Sequence, residues 1–533
     1  MNSLPAPSAA GARGAPWPLW ADLVLTATAG GLHAFAFAPH EAGWLQLAAV
    51  AWLAWRVGVA RTPWRAAWLG GSFSIAWLVG GTWWLFISLH RYGGLPAWLA
   101  VAAIGLLCAF LSLYVAAAMA TWQRWRPGNP WGGAVLFAAL WLLAELARGV
   151  IFTGFPWVAA GYAHSDSALA GLAPWLGVYG IGAVSAGLAA LAAAALAAPG
   201  RTRWVLAGVA LALWWLPTAL PRHFTEPTGT LSVALLQGNV AQDEKFAPEL
   251  QPEDLAWTLR TMVEARADLV IAPETAIPLL PSQLPEGLWD GLRAAFADGE
   301  RAALVGLPLG DPQAGYTNSV AGLSRESAAG PGGAYRYDKH HLVPFGEFIP
   351  LGFRWFVDLM NMPLGDFNRG PLVAPSFAVK GERVAPNICY EDLFGEELAA
   401  RFGAEGDAPT VLANVSNIAW FGESVAIDQH LQISRMRSLE LQRPMIRATN
   451  TGATVIIDHL GKVTRWLAPH TRGVLEGPVQ GRSGLTPFAW WAGRFGLWPP
   501  LGLASVIVAL AVWRGRRTRG AIRPESESGL NRS

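Results

Sequence analysis

Cysteine is nearly absent from this chain, since only Cys108 and Cys389 occur among 533 residues. Cys108 lies inside a long apolar run and Cys389 lies in a more polar stretch. A disulfide between them would have to join a membrane helix to a globular domain, and we discount that geometry. We therefore expect Cys389 to be a free thiol, available for chemistry.

Charged residues are also scarce, at 14% of the chain against 53% hydrophobic residues. This composition is too apolar for an ordinary soluble protein and indicates an integral membrane protein. The net charge is only +2 and the basic residues are better interpreted as topology markers than as a nucleic-acid-binding stretch, so nothing points to nucleic acid as a partner. The apolar residues crowd residues 17–221 and 495–513, whereas residues 229–485 have the composition of a globular domain.

Eight hydrophobic stretches are each about long enough to cross the ~30 Å hydrocarbon core of a bilayer. They are residues 17–38, 43–60, 66–89, 95–122, 131–152, 171–198, 203–221 and 495–513. Connections that carry arginine alternate with connections that hold little arginine or lysine, which predicts a cytoplasmic N-terminus and an outer location for residues 229–485. The basic tail, residues 514–533, is then cytoplasmic. Residues 1–16, rich in Ala, Pro, Ser and Gly, are expected to form a disordered tail.

Short β-rich runs alternate with helical patterns between residues 229 and 485. The predicted strands are residues 231–236, 269–272, 303–306, 377–379, 384–388 and 411–414, and the predicted helices include residues 252–267 and 285–296. Strands separated by helices are typical of an α/β sandwich. Cys389 directly follows one predicted strand, and the ends of such strands are where α/β folds expose reactive groups.

Glu274 and Lys339, which both precede Cys389 in the sequence, offer the base and the positive charge that a thiol needs in order to react. Glu274 follows the predicted strand 269–272, and a carboxylate there can take a proton from the thiol. Lys339 can stabilise a thiolate and a developing oxyanion. Taken singly, Glu274 is better explained as a turn or helix-capping acid and Lys339 as a solvated surface lysine.

Three further features have structural explanations as well as functional ones. Glu145 and Arg148, three residues apart near the end of a predicted span, are costly in lipid and should pair or face the protein interior. The segment Phe155-Pro156-Trp157 is either re-entrant beside the outer domain or part of an aromatic belt, and the sequence favours the belt. His340 and His341 are interpreted as structural, because no further ligand supports a metal site.

Acid, lysine and cysteine at three predicted strand ends resemble the Glu-Lys-Cys triad of the nitrilase superfamily. Together with the predicted spans, nearly the whole chain resembles the apolipoprotein N-acyltransferase family of the bacterial inner membrane. The motifs that carry the resemblance are residues 153–157, 273–278, 341–348, 388–391, 419–422, 435–437 and 447–452. One departure is Ile418, where that family usually has Asp.

The resemblance implies a multi-span α-helical membrane protein, with about eight spans, that carries a nitrilase-like αββα sandwich outside the cytoplasm. It implies that Glu274 is the general base, that Lys339 stabilises the tetrahedral intermediate, and that Cys389 carries the acyl group. The supporting active-site residues would be Glu347, Tyr390, Glu391 and Trp420. No metal and no cofactor is expected.

The implied reaction moves an acyl chain from a membrane phospholipid, phosphatidylethanolamine by expectation, to Cys389 and then to the N-terminal S-diacylglyceryl-cysteine of an apolipoprotein. The catalytic domain would lie on the periplasmic side of the inner membrane, with both termini in the cytoplasm. One alternative is a membrane-tethered amidase or nitrilase that hydrolyses its thioester with water. Another is a transporter or receptor with an outer ligand-binding domain. The apolar residues Trp355-Phe356 and 359–362 favour a lipid-facing lid over a soluble entrance.

Overall fold

The structure, a computed structural model, describes residues 17–245, 251–350, 352–357, 366–403 and 406–521. The predicted disordered tail at residues 1–16 lies outside the described residues. So do residues 359–362 of the predicted lid and most of the basic tail.

The part of the chain that precedes the globular domain is helical. Its helices are α1 (Leu19–His33), α2 (Gly43–Val59), α3 (Pro63–Thr82), α4 (Ala97–Trp125), α5 (Pro130–Val150), α6 (Ala173–Ala197) and α7 (Gly200–Trp215). The side chains of Thr62 and Asn129 accept hydrogen bonds from the first turns of α3 and α5, and each is followed by a proline at the first helical position. A helix overlaps each of the seven stretches predicted there.

Helix length and hydropathy separate these helices into two groups. Within the described residues, four helical stretches are long and apolar enough to cross a membrane: Ala97–Trp125, Pro130–Thr153, Ala168–Ala197 and Trp498–Arg519. Helix α3, with 20 residues, is not one of these four. By contrast, α1, α2 and α7 have only 15, 17 and 16 residues. At 1.5 Å per residue, helices of this size reach about 22–26 Å, less than the hydrocarbon core. The total of eight spans stays a prediction.

The globular domain contains two six-stranded sheets. The first, in the order β12-β1-β2-β3-β4-β5, consists of β1 (Thr225–Gln237), β2 (Leu269–Ile271), β3 (Ala302–Asp311), β4 (Gly315–Leu323), β5 (Tyr335–Asp338) and β12 (Gly473–Gly484). The second, in the order β11-β10-β9-β8-β7-β6, consists of β6 (Phe377–Val379), β7 (Glu382–Ile388), β8 (Val411–Ser416), β9 (Met445–Thr449), β10 (Thr454–Ile457) and β11 (Val463–Leu467). The predicted strands fall within these elements, except that the prediction 269–272 runs one residue beyond β2.

Eight more helices complete the described chain. They are α8 (Gln251–Glu264), α9 (Leu288–Ala297), α10 (Arg325–Ala329), α11 (Arg354–Val357), α12 (Gly395–Ala400), α13 (Ala426–Leu441), α14 (Pro487–Phe495) and α15 (Trp498–Ala521).

Side-chain alternation in the strands builds the layers. In β1, Leu231, Val233 and Leu235 point into a core shared with the second sheet, whereas Ala234 and Leu236 face a core shared with α8 and α9. On the other side, residues of β8 and β9 pack with α13 into the same apolar cluster as the membrane helices. The order of layers is thus α8/α9, first sheet, second sheet, α13, which confirms the predicted αββα sandwich.

Helix α13 also joins the domain to the helical bundle. The side-chain oxygen of Gln429 accepts hydrogen bonds from the indole nitrogens of Trp84 (3.1 Å) and Trp157 (2.7 Å). At the other end of α13, Glu440 accepts a 2.7 Å bond from the main-chain nitrogen of Val178. Because these side chains are buried, the two parts of the chain are fixed to each other.

Candidate active site

Cys389 lies where β7 ends and a 3₁₀ turn over Cys389–Leu393 begins. Its φ of +51° is in the left-handed region, which a residue with a Cβ adopts only when its surroundings impose it. The residue remains partly exposed, whereas its neighbours Ile388 and Tyr390 are buried. The turn therefore presents a thiol at the end of a buried strand, as predicted.

Glu274 lies just beyond β2 in the first sheet and is almost fully buried. Its Oε1 accepts a 2.8 Å hydrogen bond from the side-chain amide of Asn318, and its Oε2 accepts a 2.8 Å bond from the main-chain nitrogen of Asn417. Neither contact caps a helix, so the explanation of Glu274 as a capping acid is wrong. A Cβ at Gly306 of β3 would lie 2.4 Å from the carbonyl oxygen of Pro273, so only glycine lets β3 pass this close to the turn.

Lys339 follows β5, whose direction matches that of β2 and β3 because β3, β4 and β5 pair antiparallel in turn. Its carboxyl end therefore meets the same sheet edge as that of β2. The Lys339 Nζ is 2.8 Å from Glu347 Oε1 and 3.4 Å from Glu274 Oε1. Only 1% of the side chain is exposed, so the explanation as a surface lysine is wrong.

The charges in this cluster decide the resting protonation states. Burial lowers the pKa of Lys339, but Glu347 and Glu274 outweigh it and raise that pKa, so the ammonium stays charged. Burial and the Glu274 carboxylate raise the pKa of Cys389 well above the usual range, and Lys339 opposes them only in part. The resting sulfur is thus a neutral thiol, and its proton must leave as it attacks. Among the carboxylates around this thiol, Glu274 has the largest influence on its pKa.

Two of the predicted supporting carboxylates hold the site together. Glu347 accepts hydrogen bonds from Lys339, from the side chain of Asn318 (2.6 Å) and from the main-chain nitrogen of Val343 (2.8 Å). Glu391 accepts bonds from four donors: the main-chain nitrogens of Ile388, His340 and His341 and the Tyr337 hydroxyl, at 2.7, 2.7, 3.1 and 2.7 Å. Glu391 therefore ties the turn of Cys389 to the segment after Lys339.

Comparison with known proteins identifies the family to which the chain belongs. Residues 29–191 match the family model described as the apolipoprotein N-acyltransferase N-terminal domain, and residues 232–487 match the carbon-nitrogen hydrolase model. The apolipoprotein N-acyltransferase of Verminephrobacter eiseniae is 54% identical over 95% of this chain and 98% of its own length. That of Ralstonia nicotianae is 48% identical over 93% of this chain and 94% of its own. This chain belongs to the apolipoprotein N-acyltransferase family. It is an N-acyltransferase.

Solved structures similar to this acyltransferase include more distant proteins. The NitFhit protein of C. elegans is 16% identical, with a TM-score of 0.35, over 52% of this chain and 65% of its own. An amidase from Nesterenkonia sp. is 16% identical, with a TM-score of 0.34, over 49% of this chain and 95% of its own.

In the acyltransferase, the other two supporting residues lie towards the membrane helices. The Tyr390 hydroxyl donates a 3.0 Å hydrogen bond to the carbonyl oxygen of Gly154. Trp420 is half-buried and packs edge-on against Tyr92, with ring centroids 5.8 Å apart. Tyr92 belongs to the helical turn between α3 and α4. Both predicted residues thus connect the domain to the bundle.

The segment after α5 packs directly on the domain. Trp157 is buried and bonded to Gln429, and the His341 ring lies 2.9 Å from the Thr153 carbonyl oxygen. The sequence favoured an aromatic belt for Phe155-Pro156-Trp157, and that interpretation is wrong. A single-chain pattern of Phe, Pro and Trp does not distinguish rings that face lipid from rings that face protein.

Arg148 organises this segment from inside the bundle. Its guanidinium donates to the carbonyl oxygens of Phe155 (2.9 Å) and Trp157 (2.6 Å) and lies 3.5 Å from the carboxylate of Glu145. Both charged side chains are buried, which confirms that they pair and face the interior.

Both histidines beside Lys339 have hydrogen-bonding partners. The Nδ1 of His340 is 2.8 Å from the Gly370 carbonyl oxygen, and the Nδ1 of His341 is 2.9 Å from the Glu397 carboxylate. Among the described residues, no group of three or more His, Cys, Asp and Glu residues could hold a metal ion. These contacts support the structural interpretation of the two rings.

Sequence reasoning missed two polar residues of this site. Asn318, in β4, bridges Glu274 and Glu347, and Lys245 donates a 3.1 Å hydrogen bond to the Glu274 carbonyl oxygen. Burial lowers the pKa of Lys245 to about 8, although Glu274 opposes this. Neither residue lies in a motif of its own, and only the pairing of β4 with β5 places Asn318 beside Lys339.

Ile418, the departure from the family pattern, is buried at the start of a 3₁₀ turn. A Cβ on Gly452 would lie 2.5 Å from its Cγ2, so the two residues are in tight contact. The preceding residue, Asn417, still donates its main-chain N–H to Glu274. The apolar side chain is therefore accommodated without loss of the contact that this loop makes to the triad.

Proposed function

We propose that this acyltransferase moves an acyl chain from a membrane phospholipid to Cys389 as a thioester, and then to the N-terminal amine of an S-diacylglyceryl-cysteine on an apolipoprotein. The observation that carries the proposal is the buried cluster of Lys339 with Glu274 and Glu347, which Glu391 ties to the turn that holds Cys389. The relatives' names supply the acceptor class. Phosphatidylethanolamine as donor remains an expectation from the resemblance.

In the first half-reaction the sulfur of Cys389 attacks the ester carbonyl while its proton passes to Glu274. Lys339, held by Glu347, stabilises the oxyanion of the tetrahedral intermediate. Collapse of the intermediate breaks the ester C–O bond. The departing alkoxide takes the proton from Glu274, leaving a lysophospholipid and the acyl thioester.

In the second half-reaction the acceptor amine attacks the thioester and Glu274 takes a proton from the nitrogen. Lys339 again stabilises the oxyanion, and collapse breaks the C–S bond. The sulfur leaves and recovers the proton from Glu274, so that Cys389 is a neutral thiol again. The raised pKa of this thiol suits it to being reprotonated at the end of the cycle.

The same triad could pass the acyl group to water, as in a membrane-tethered amidase. Two observations favour a lipid-anchored acceptor. Tyr390, next to the nucleophile, donates a hydrogen bond to Gly154 in the segment that follows α5. The side chains of Phe353 and Trp355 are 44% and 63% exposed. Exposed aromatic side chains suit contact with lipid better than entry of a polar amide. A transporter or receptor would have no use for a base, a lysine and a thiol in this arrangement.

Mass spectrometry of the purified protein, incubated with phospholipid but without acceptor, tests the proposal. We expect an acyl adduct on Cys389 that persists in buffer and is removed by a diacylglyceryl peptide with a free amino terminus. The Cys108→Ala variant, which keeps Cys389, is the control and should form the adduct equally. Removal of the adduct by water as fast as by the peptide would make the protein a hydrolase.

The topology is part of the proposal: eight spans in the inner membrane, the catalytic domain periplasmic, both termini cytoplasmic. Alternation of the arginine-bearing loops supports it, as does the basic end of α15. With both native cysteines removed (Cys108→Ala and Cys389→Ala), cysteine-accessibility labelling of Ser327→Cys and Arg519→Cys should find residue 327 outside and residue 519 inside. Labelling of residue 327 only after the membrane is opened would overturn this orientation.

A further inference from the structure

The main-chain carbonyl of Cys389 is held by two buried side chains that the mechanism above does not use. Its oxygen lies 3.2 Å from His430 Nε2 and 3.3 Å from Asn414 Nδ2. Both side chains are 1% exposed or less. Since Cys389 has a φ of +51°, its conformation requires contacts of this kind to hold it.

The neighbours of His430 determine which ring nitrogen carries the proton. Nε2 faces two acceptors, the Cys389 oxygen and Asp392 Oδ1 at 2.9 Å, so Nε2 is the donor. Nδ1 is 3.1 Å from the guanidinium NH2 of Arg447, which can only donate, so Nδ1 is the acceptor. An imidazolium would place an N–H against this guanidinium. His430 is therefore neutral, with its hydrogen on Nε2.

The charges around this ring are balanced without solvent. Asp392 Oδ2 lies 3.7 Å from the Arg447 guanidinium, and the Ser434 hydroxyl is hydrogen-bonded to both. All four side chains, including His430, are essentially inaccessible. Although burial raises the pKa of Asp392, the hydrogen bonds that its carboxylate accepts from His430 and Ser434 and the positive charge of Arg447 hold that pKa below the usual range, so the carboxylate stays charged.

The position of His430 in α13 links this cluster to the bundle. Its ring lies 5.7 Å from that of Trp157, centroid to centroid. The preceding residue, Gln429, accepts from the Trp157 indole nitrogen at 2.7 Å. The His430 ring therefore lies between Trp157, in the segment that follows α5, and the turn that holds Cys389.

We propose that His430 is a positioning residue: its Nε2–H holds the Cys389 carbonyl and so keeps the left-handed turn that aims the sulfur, while Arg447 and Asp392 impose the required tautomer. It touches no substrate and transfers no proton. The inference rests on the proposed role of Cys389 as nucleophile. It adds the requirement that a hydrogen-bond donor to the Cys389 carbonyl oxygen occupies the Nε2 position of residue 430.

Two amide substitutions separate this donor from the rest of the ring. In His430→Gln the side-chain amide can reach the Nε2 position, whereas in His430→Asn it reaches only the Nδ1 position and can serve Arg447 but not Cys389. We expect His430→Asn to slow acylation of Cys389 by phospholipid about tenfold or more, the usual effect of losing one buried hydrogen bond. The KM for phospholipid should stay at the wild-type value. His430→Gln should recover most of the rate.

A matched control removes a buried imidazole elsewhere. His164 is equally buried, lies 3.1 Å from Gln46 within the bundle, and makes no contact with the nucleophile's turn. His164→Gln should acylate Cys389 at the wild-type rate. All rates are taken per folded protein, and His430→Met serves as a second donor-less variant if His430→Asn does not accumulate.

Acylation of His430→Asn or His430→Met at the wild-type rate would overturn the inference, as would a His430→Gln variant as slow as His430→Asn. A rise in KM with kcat unchanged would also count against it, because that is the signature of a disturbed lipid site. Failure of the underlying mechanism gives a different result. In that case wild-type protein transfers acyl chains with no adduct on Cys389.

Discussion

The two sheets of the catalytic domain divide the chemistry between them. The first sheet supplies Glu274 and Lys339, the groups that would move a proton and stabilise charge in the proposed mechanism. The second sheet supplies Cys389, which would carry the acyl chain, and among the described residues it is the core of this sheet that packs through α13 against the membrane helices. The group that must meet lipid therefore lies on the layer fixed to the bundle. The charged groups lie on the layer behind it.

The largest effect should come from the second sheet. Cys389→Ser replaces the thiol with a hydroxyl, whose pKa is far above that of a thiol. We therefore expect acyl transfer to fall to background while the protein still inserts and folds. Lipoprotein acylation in a reconstituted assay measures this. Cys108→Ala should retain full activity, and a Cys389→Ser variant that does so would remove the covalent step.

The first sheet should show the next largest effect. Glu274→Gln removes the base, and Lys339→Met removes the cation; each should cut thioester formation about 10²–10³-fold, as loss of one oxyanion donor does. Lys339→Arg should fail too, because a guanidinium does not fit the compact position between Glu274 and Glu347. The readout is the acyl adduct on Cys389 after brief exposure to phospholipid. Wild-type accumulation in either neutral variant would exclude that residue from the triad.

The pH dependence of the thiol sharpens the division between the sheets. The pKa of Cys389 is raised by burial and by Glu274 and is lowered by Lys339, and the thiolate is the form that reacts with iodoacetamide. Alkylation should therefore rise with pH, with its midpoint above that of an ordinary thiol. Glu274→Gln should move this midpoint to lower pH and Lys339→Met to higher pH. Alkylation that is already complete at neutral pH in the wild-type protein would mean a preformed thiolate.

The smallest effect should come from the joint between the second sheet and the bundle. Gln429→Leu leaves the indole N–H groups of Trp84 and Trp157 without this acceptor, at a cost of about 1–3 kcal/mol. The unfolding temperature in detergent should fall by a few degrees. Gln313→Leu, at an exposed turn, is the matched control and should leave it unchanged. An unchanged unfolding temperature in Gln429→Leu would mean that the joint does not depend on this side chain.

The sandwich could be predicted from the sequence, and the triad could be proposed from it, because both depend on short-range patterns. Buried strands such as β7 and β8 contain runs of apolar residues, and Glu274 and Cys389 follow such runs. Lys339 instead follows the mixed strand β5, Tyr335–Asp338, and only its motif drew attention to it. Residues that matter only through pairing of distant segments were missed. Asn318 reaches Glu274 across 44 positions of sequence, and His430 reaches the Cys389 oxygen across 41. No local pattern marks either contact.

Prediction from the sequence was also incomplete for the helical part of the chain. Hydropathy located the helices, but α1, α2 and α7 proved shorter than the predicted spans. The packing of Trp157 on α13 could not be predicted, because a ring that faces protein and a ring that faces lipid have the same sequence signature.

The tight passage of β3 against the Pro273 carbonyl has a genetic consequence. Gly306 touches no substrate in the proposed mechanism, yet even a methyl group there would have to displace the turn that carries Glu274. In a screen for null alleles, missense changes at this codon should therefore be recovered alongside those of the triad. In such a screen Gly306 would therefore be indistinguishable from an active-site residue.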